Sequence, residues 1–84
     1  MDIRFDKNAF EDYVYFQKHD KTIVIKINKL LENIRRSPFS GVGKPEALKH
    51  NLLGFWSRRI TGEHRLVYTI KDNSIYVIQC RYHY

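Results

Sequence analysis

The chain has 84 residues, which suits a single domain, residues 1–84, with a modest hydrophobic core. Its apolar and charged fractions are ordinary for a globular protein, which excludes a disordered or low-complexity chain. Its 15 lysines and arginines against 9 acidic residues give a formal net charge of +6, which favours a polyanionic partner unless the domain is simply soluble and basic.

The first part of the chain predicts a short edge strand followed by two helices. Ile3 to Phe5 gives the strand, and Asp6 and Asp20 are each placed to cap the start of a helix. Pro38 ends the second helix. Apolar side chains recur at helical spacing after each cap, first at Phe10, Tyr13, Val14 and Phe16, then at Ile23, Ile27, Leu30, Leu31 and Ile34.

The second part of the chain is strand-like and begins after a glycine- and proline-rich loop, PFSGVGKPE at residues 38–46. Aromatic and β-branched residues predict strands at 47–50, 55–60, 64–71 and 74–84, separated by turns at 61–63 and 72–73. The sequence therefore predicts an α+β fold, with two N-terminal helices packed on one face of a mostly antiparallel sheet of three or four strands.

Cationic side chains are predicted to crowd the other face of this sheet. A three-residue turn at 61–63 would set Arg59 directly opposite Arg65, an arrangement of like charges that costs stability. Arg81 and His83 would share one face of the last strand at period two. A protein tolerates such crowding most readily where an anion binds; the alternative is that the long arginine side chains extend into solvent.

Two other kinds of site find no support in the sequence. The GVGKPE segment lacks the glycine spacing of a triphosphate-binding loop, and its lysine is followed by proline instead of serine or threonine. The four histidines, His19, His50, His64 and His83, lack metal-ligand spacing and have no cysteine pair beside them. We therefore expect neither a metal site nor a cofactor, and we interpret His19 as a solvated residue between the helices.

The C-terminal segment is dense in functional side chains although chain ends normally fray. Tyr82 and Tyr84 flank His83, whereas Trp56, Tyr68 and Tyr76 are expected to be packing residues more often than base-stacking platforms. The lone Cys80, in an apolar-rich run, is expected to be buried in a reducing compartment. The chain shows no apolar run of ~20 residues and no signal-peptide core, so we expect a cytoplasmic protein without membrane contact.

The segments GKPE, LKHNL, GFWSRRI, EHRLVY and CRYHY together carry a resemblance to a known family. The chain resembles the YoeB family, toxins of bacterial toxin–antitoxin pairs within the RelE-like superfamily, over essentially its full length. The resemblance implies a RelE-like α+β fold, similar to that of microbial ribonucleases. It also implies a ribosome-dependent enzyme that cleaves mRNA in the ribosomal A site and so inhibits translation.

The resemblance assigns roles to individual residues. Glu46 corresponds to the general base that takes the proton of the RNA 2′-hydroxyl, and His83 to the general acid for the 5′-oxygen. Arg65 suits stabilisation of the crowded phosphate, because a guanidinium forks two phosphate oxygens. Tyr84 would orient Glu46 or the 2′-hydroxyl. The candidates for holding the RNA backbone are Lys44, Lys49, Arg59 and Arg81.

The family resemblance also implies partners: a small acidic antitoxin of the YefM type and a second copy of the chain in a homodimer. Two other functions stay open. One is a RelE-like scaffold that binds RNA, ribosome or gyrase without cutting, which the presence of the complete acid–base set disfavours. The other is a repressor that acts on operator DNA together with its antitoxin, although no recognition-helix motif is present.

Overall fold

A computed structural model describes residues 1–82 of the chain. In this part of the chain, two long helices and one short 3₁₀ helix accompany five strands. The elements in chain order are β1 (Asp2–Phe5), α1 (Lys7–His19), α2 (Lys21–Arg36), β2 (Glu46–Ala47), the 3₁₀ helix (His50–Leu52), β3 (Trp56–Arg59), β4 (Arg65–Lys71) and β5 (Ser74–Gln79).

Both helices begin at the predicted capping residues. The Asp6 carboxylate accepts a hydrogen bond from Ala9 N at 2.8 Å, and the Asp20 carboxylate accepts one from Thr22 N at 3.2 Å. The hydrogen bond from the Thr22 hydroxyl lowers the pKa of Asp20 below its ordinary value. The predicted apolar face of α2 is buried, whereas on the apolar side of α1 Phe16 is buried and Phe10 is 54% exposed.

The five strands form one sheet in the order β1-β5-β4-β3-β2. Strand β1 runs parallel to β5 at one edge, and every other neighbouring pair is antiparallel. The α+β fold with a mostly antiparallel sheet is therefore confirmed. The predicted number of three or four strands was too low, because both the N-terminal segment and the short β2 join the sheet as its two edges.

Two predicted strands are shorter than expected. The segment 47–50 was predicted as a strand, but β2 is Glu46–Ala47, and His50, with φ +60°, begins the 3₁₀ helix. The segment 74–84 was predicted as one strand, but β5 ends at Gln79, and Tyr82 also has a positive φ of +60°. Left-handed backbone does not continue a strand. His83 and Tyr84 lie outside the described residues.

The pleat of the sheet separates two faces with different chemistry. On the helix side, Leu66, Tyr68, Ile75 and Val77 belong to the core that α1 and α2 cover. We call the other side the open face. Arg65 and Val67 lie there because they flank the core residue Leu66 on β4, and Arg59 and Ser57 lie there because they are their cross-strand partners on β3. Glu46, the partner of Ser57 on β2, completes this face.

The segment after β5 also packs on the helix side. Cys80 is buried, as predicted, and its thiol donates a hydrogen bond to Ala9 O of α1 at 3.3 Å. Burial, with the nearby carboxylates of Asp12 and Asp6 adding to it, raises the pKa of this thiol to about 12. Among residues 1–82, no helix is both long and apolar enough to cross a membrane.

Candidate active site on the open face of the sheet

The strand register brings an acidic residue and two arginines onto neighbouring positions of the open face. Glu46 of β2 is the cross-strand partner of Ser57 of β3. Two residues further along β3, Arg59 is the partner of Arg65 of β4, as the length of the turn between them predicts. Partners across a sheet project to the same side. The open face therefore combines a carboxylate with two directly opposed guanidinium groups.

Two polar atoms at the centre of this group are buried without a hydrogen-bond partner among residues 1–82: Ser57 Oγ and Arg65 Nε. Buried polar atoms are normally hydrogen-bonded, and the exceptions tend to mark functional positions. Ser57 was missed by the sequence reasoning. The signal that could have found it is its period-two spacing from Arg59, which puts both on one face of β3.

Arg58 holds the loop that leads to Glu46. This arginine is fully buried on the helix side of β3. Its guanidinium donates from Nε to the Tyr68 hydroxyl at 3.1 Å and from Nη1 to Asn33 Oδ1 at 2.5 Å. The remaining bonds go to three loop carbonyls, those of Val42 at 3.0 Å, Ser37 at 2.6 Å and Ser40 at 2.8 Å. All five N–H donors are therefore satisfied.

Two further contacts fix the same loop against the sheet. The Tyr68 hydroxyl donates to Pro38 O at 2.6 Å, and burial raises the pKa of Tyr68 even though the bond from Arg58 opposes that rise. Arg59 N donates to Gly43 O at 2.7 Å. Gly43 has φ +82°, and a Cβ there would lie 2.7 Å from Leu30 Cδ2, so only glycine fits this close approach. The loop therefore presents Lys44 and Glu46 from a fixed base.

The predicted phosphate-holding residues divide into two groups. Lys44, Lys49 and Arg59 are exposed; Lys44 precedes β2, Lys49 follows it, and Arg59 lies on the neighbouring strand β3. Arg81 lies elsewhere: its guanidinium stacks over the Tyr15 ring of α1, 3.9 Å from the centroid, and its Nη1 is 3.6 Å from Asp12 Oδ1. Arg81 was predicted to lie on the last strand, which is wrong because β5 ends at Gln79; its relation to His83 lies outside the described residues.

The predicted aromatic residues are mostly packing residues. Tyr68 is fully buried, and Trp56 packs on the core with its ring 5.0 Å from that of Phe39. Tyr76, half-buried on β5, instead accepts a hydrogen bond from Arg4 Nη1 at 3.1 Å. Within residues 1–82, no cluster of three or more histidine, cysteine or acidic side chains could hold a metal ion.

The fold is shared with solved toxins of low sequence identity. It is shared with YafQ from Escherichia coli, at a TM-score of 0.73 and 20% identity, covering 96% of this chain and 91% of that one. The RelBE2 toxin–antitoxin complex from Mycobacterium tuberculosis contains a chain that matches with a TM-score of 0.70 at 22% identity, covering 98% of this chain and 96% of that one. These likenesses establish the RelE-like toxin fold.

Sequence comparison narrows this class to one family. A model of the YoeB-like toxins of bacterial type II toxin–antitoxin systems matches residues 5–84. The chain is 57% identical to Toxin YoeB of E. coli K12 over 84 residues, which covers both chains completely. The chain therefore belongs to the YoeB-like toxins, and the family resemblance of its motifs is confirmed.

Two sets of solved structures match the chain over its full length. The YoeB/ParE toxin from Agrobacterium tumefaciens has a TM-score of 0.98 at 46% identity and full coverage of both chains. YoeB from Staphylococcus aureus, solved as a heterotetrameric YoeB–YefM toxin–antitoxin complex and as a dimer, matches with a TM-score of 0.94 at 56% identity, covering 100% of this chain and 98% of that chain.

Proposed function

We propose that residues 1–84 form a single-domain, ribosome-dependent mRNA endoribonuclease that acts without a metal ion and inhibits translation in the cytoplasm. The observation that carries the proposal is the open face, where Glu46 pairs with Ser57 and, two residues further along the same strand, Arg59 pairs with Arg65. A carboxylate can take a proton, and paired guanidinium groups attract a phosphate. Membership of a toxin family supports an activity directed at an essential cellular process.

The proposed reaction uses the 2′-hydroxyl of RNA as its nucleophile. Glu46 takes the 2′ proton while the 2′-oxygen bonds to phosphorus, and the bond from phosphorus to the 5′-oxygen breaks. His83 donates a proton to the departing 5′-oxygen, and Tyr84 orients Glu46 or the 2′-hydroxyl. The products are a 2′,3′-cyclic phosphate, which water can open to a 3′-phosphate, and a 5′-hydroxyl.

Arg65 is proposed to stabilise the charge that develops on the phosphate. Its Nε is buried without a hydrogen-bond partner among residues 1–82, and its guanidinium faces another cation, Arg59. Donors that are fixed before the reaction stabilise developing charge most effectively. Lys44, Lys49 and Arg59 would hold the RNA backbone. Arg81 stays a predicted RNA contact, although Asp12 and Tyr15 already engage its guanidinium.

The ribosome is proposed to supply the geometry of the substrate. Glu46, Arg59 and Arg65 are spread over three neighbouring strands of one sheet face, so we expect the protein alone to do little to align the 2′-oxygen with the bond that breaks. Messenger RNA held in the ribosomal A site is already positioned, and such positioning lowers the barrier substantially. No cofactor is required by this chemistry.

A small acidic antitoxin of the YefM type is the proposed inhibitory partner, and a homodimer is the proposed assembly. The S. aureus relative was solved with YefM and as a dimer. This chain offers a candidate surface for that partner, a groove between α2 and the loop whose lining includes the exposed apolar side chains Ile25 and Val42. Its charged rim carries one acid, Glu32, against five cations, Lys26, Lys29, Arg36, Lys44 and Arg59. Such a charge imbalance favours an acidic segment.

Primer extension on a defined mRNA, in a purified translation reaction with and without ribosomes, tests the proposed function. We expect cleavage only with ribosomes, with 5′-hydroxyl and cyclic or 3′-phosphate ends on the fragments. Intact mRNA on programmed ribosomes would overturn the nuclease and leave a non-catalytic binder. Equal cleavage of free mRNA would overturn the ribosome dependence alone.

A further inference from the structure

Tyr82 is held unusually firmly for a residue near the end of a chain. Its N–H donates to His64 Nδ1 at 2.8 Å. Its carbonyl accepts two hydrogen bonds, from Arg65 N at 3.1 Å and from Gln79 Nε2 at 3.1 Å. Its φ of +60° is a conformation that a residue with a side chain rarely adopts without support. Surrounding contacts therefore impose this backbone geometry.

His64 is the only side-chain acceptor among these contacts, and the structure fixes it from several directions. It is 7% exposed, and its ring meets Phe16 edge-on at 5.1 Å between centroids. Its backbone N–H donates to Thr61 Oγ1 at 3.0 Å, and its carbonyl accepts from Ile60 N at 3.0 Å. The main chain of His64 is thus held in the turn, and its buried ring packs against Phe16 with Nδ1 at hydrogen-bond distance from the Tyr82 amide.

The hydrogen bond to Tyr82 also fixes which ring nitrogen of His64 carries a proton. A nitrogen that accepts a hydrogen bond from an amide is unprotonated, so in the neutral ring the proton is on Nε2. Nε2 lies 3.4 Å from the Glu63 carboxylate, which suits an N–H at that position. The charged groups near the ring are Glu63 on its own turn, Asp20 at the start of α2, and Arg81 beyond β5.

We propose that His64 is a positioning residue for RNA cleavage, which sets the direction in which the chain leaves Tyr82 for His83 and Tyr84. The carbonyl of Tyr82 belongs to the planar peptide unit that leads into the next residue. The Tyr82 N–H is bonded to His64 Nδ1, and the Tyr82 carbonyl is bonded to Arg65 N. These two hydrogen bonds fix the main chain of Tyr82 on both sides of its Cα. This inference rests on the proposed function, because it matters for catalysis only if the last two residues act on RNA.

A matched pair of variants isolates the hydrogen bond from the packing of the ring. His64→Asn and His64→Leu both replace the imidazole with a branched side chain of nearly equal shape, so both lose the contact with Phe16. Asn retains an acceptor at the δ position, whereas Leu leaves the Tyr82 amide without one. An amide left unpaired costs enough that we expect single-turnover cleavage on programmed ribosomes to be about tenfold slower for Leu than for Asn.

The concentration of toxin that gives half-maximal cleavage should be the same for both variants, because the RNA-holding residues are unchanged. Equal cleavage rates for Asn and Leu would overturn the positioning role. A rate difference that comes entirely from weaker ribosome binding would overturn it as well. Thermal melts of both variants, run at the assay temperature and above, ensure that the rates compare folded proteins.

Nitrogen NMR of the wild-type ring tests the same contact without any cleavage assay. We expect Nδ1 of neutral His64 to resonate as an unprotonated nitrogen and Nε2 as a protonated one. A proton on Nδ1 would overturn the proposal, because that nitrogen could then not accept from Tyr82. If the wild-type protein does not cleave mRNA, the proposed function fails, whereas this spectrum still decides whether the contact exists.

Discussion

Arg58 and Arg59 are neighbours in sequence, yet they lie in regions of opposite character. Arg58 points to the helix side, is fully buried and has a partner for each of its five donors. Arg59 points to the open face, is exposed, and stands opposite another arginine, Arg65. The same type of side chain thus stabilises the fold on one side of the sheet and, as we propose, binds the substrate on the other.

The comparison shows how to separate structural from functional charge in a small basic protein. Buried cations must be fully hydrogen-bonded, because an unpaired buried charge is very costly. Arg58 meets that condition, whereas the open face keeps opposed like charges and an unpartnered Arg65 Nε among residues 1–82. We therefore propose that the opposed arginines of the open face, and not Arg58, bind an anion.

The largest expected effect is a difference in the free energy of unfolding between variants of the two adjacent arginines. Arg58→Met should lower the free energy of unfolding by about 3 kcal/mol or more, because it strips several buried acceptors of their donor. Arg59→Met should change it by less than about 0.5 kcal/mol, as is usual for an exposed position. Urea unfolding of both variants measures the difference, and similar losses for the two would contradict the assignment of Arg58 to the fold.

An intermediate effect is expected within the open face. Arg65→Lys keeps the charge but loses the planar fork and Nε, so single-turnover cleavage should fall about tenfold, which corresponds to ~1.4 kcal/mol. Arg59→Lys should reduce it much less, because holding an RNA phosphate requires mainly a positive charge. If lysine serves equally well at both positions, Arg65 has no special role at the reacting phosphate.

The last expected effect concerns the core; it is absent at neutral pH and appears only at high pH. Because the pKa of Cys80 rises from 9.0 to about 12 on folding, the folded protein retains a thiol proton that the unfolded chain releases. This contribution to stability is fully present below pH 9.0 and is lost as the pH rises towards about 12. Unfolding of wild type and Cys80→Ala over this range should show a steeper fall for wild type; identical slopes would contradict it.

Local patterns account for the parts of the fold that the sequence predicted well. Asp6 and Asp20 cap helices through contacts a few residues away, so sequence spacing alone reveals them. The pairing of Arg59 with Arg65 follows from the length of one turn. The candidate site was predictable only in part, since the predicted strands 55–60 and 64–71 place the two arginines, whereas Glu46 was assigned to the preceding loop and its role came from the family resemblance.

Long-range contacts explain what the sequence did not predict. In the segment WSRRI, nothing local shows that Arg58 is buried, because its partners come from residues 33–42 and from Tyr68. The end of β5 was misplaced because apolar residues continue past Gln79, whereas Cys80 turns to the carbonyl of Ala9 in α1. The roles of His83 and Tyr84 came from family resemblance and remain predictions.

The central claim is that Glu46 on the open face is the base that starts RNA cleavage. The most direct measurement is single-turnover mRNA cleavage by Glu46→Gln on programmed ribosomes, paired with its affinity for those ribosomes. Glutamine keeps the shape of the side chain but is a poor base, so we predict a cleavage rate below about one tenth of wild type with nearly unchanged binding. A variant that binds normally and retains more than about a tenth of the wild-type rate, a change in barrier of under ~1.4 kcal/mol, would contradict the claim.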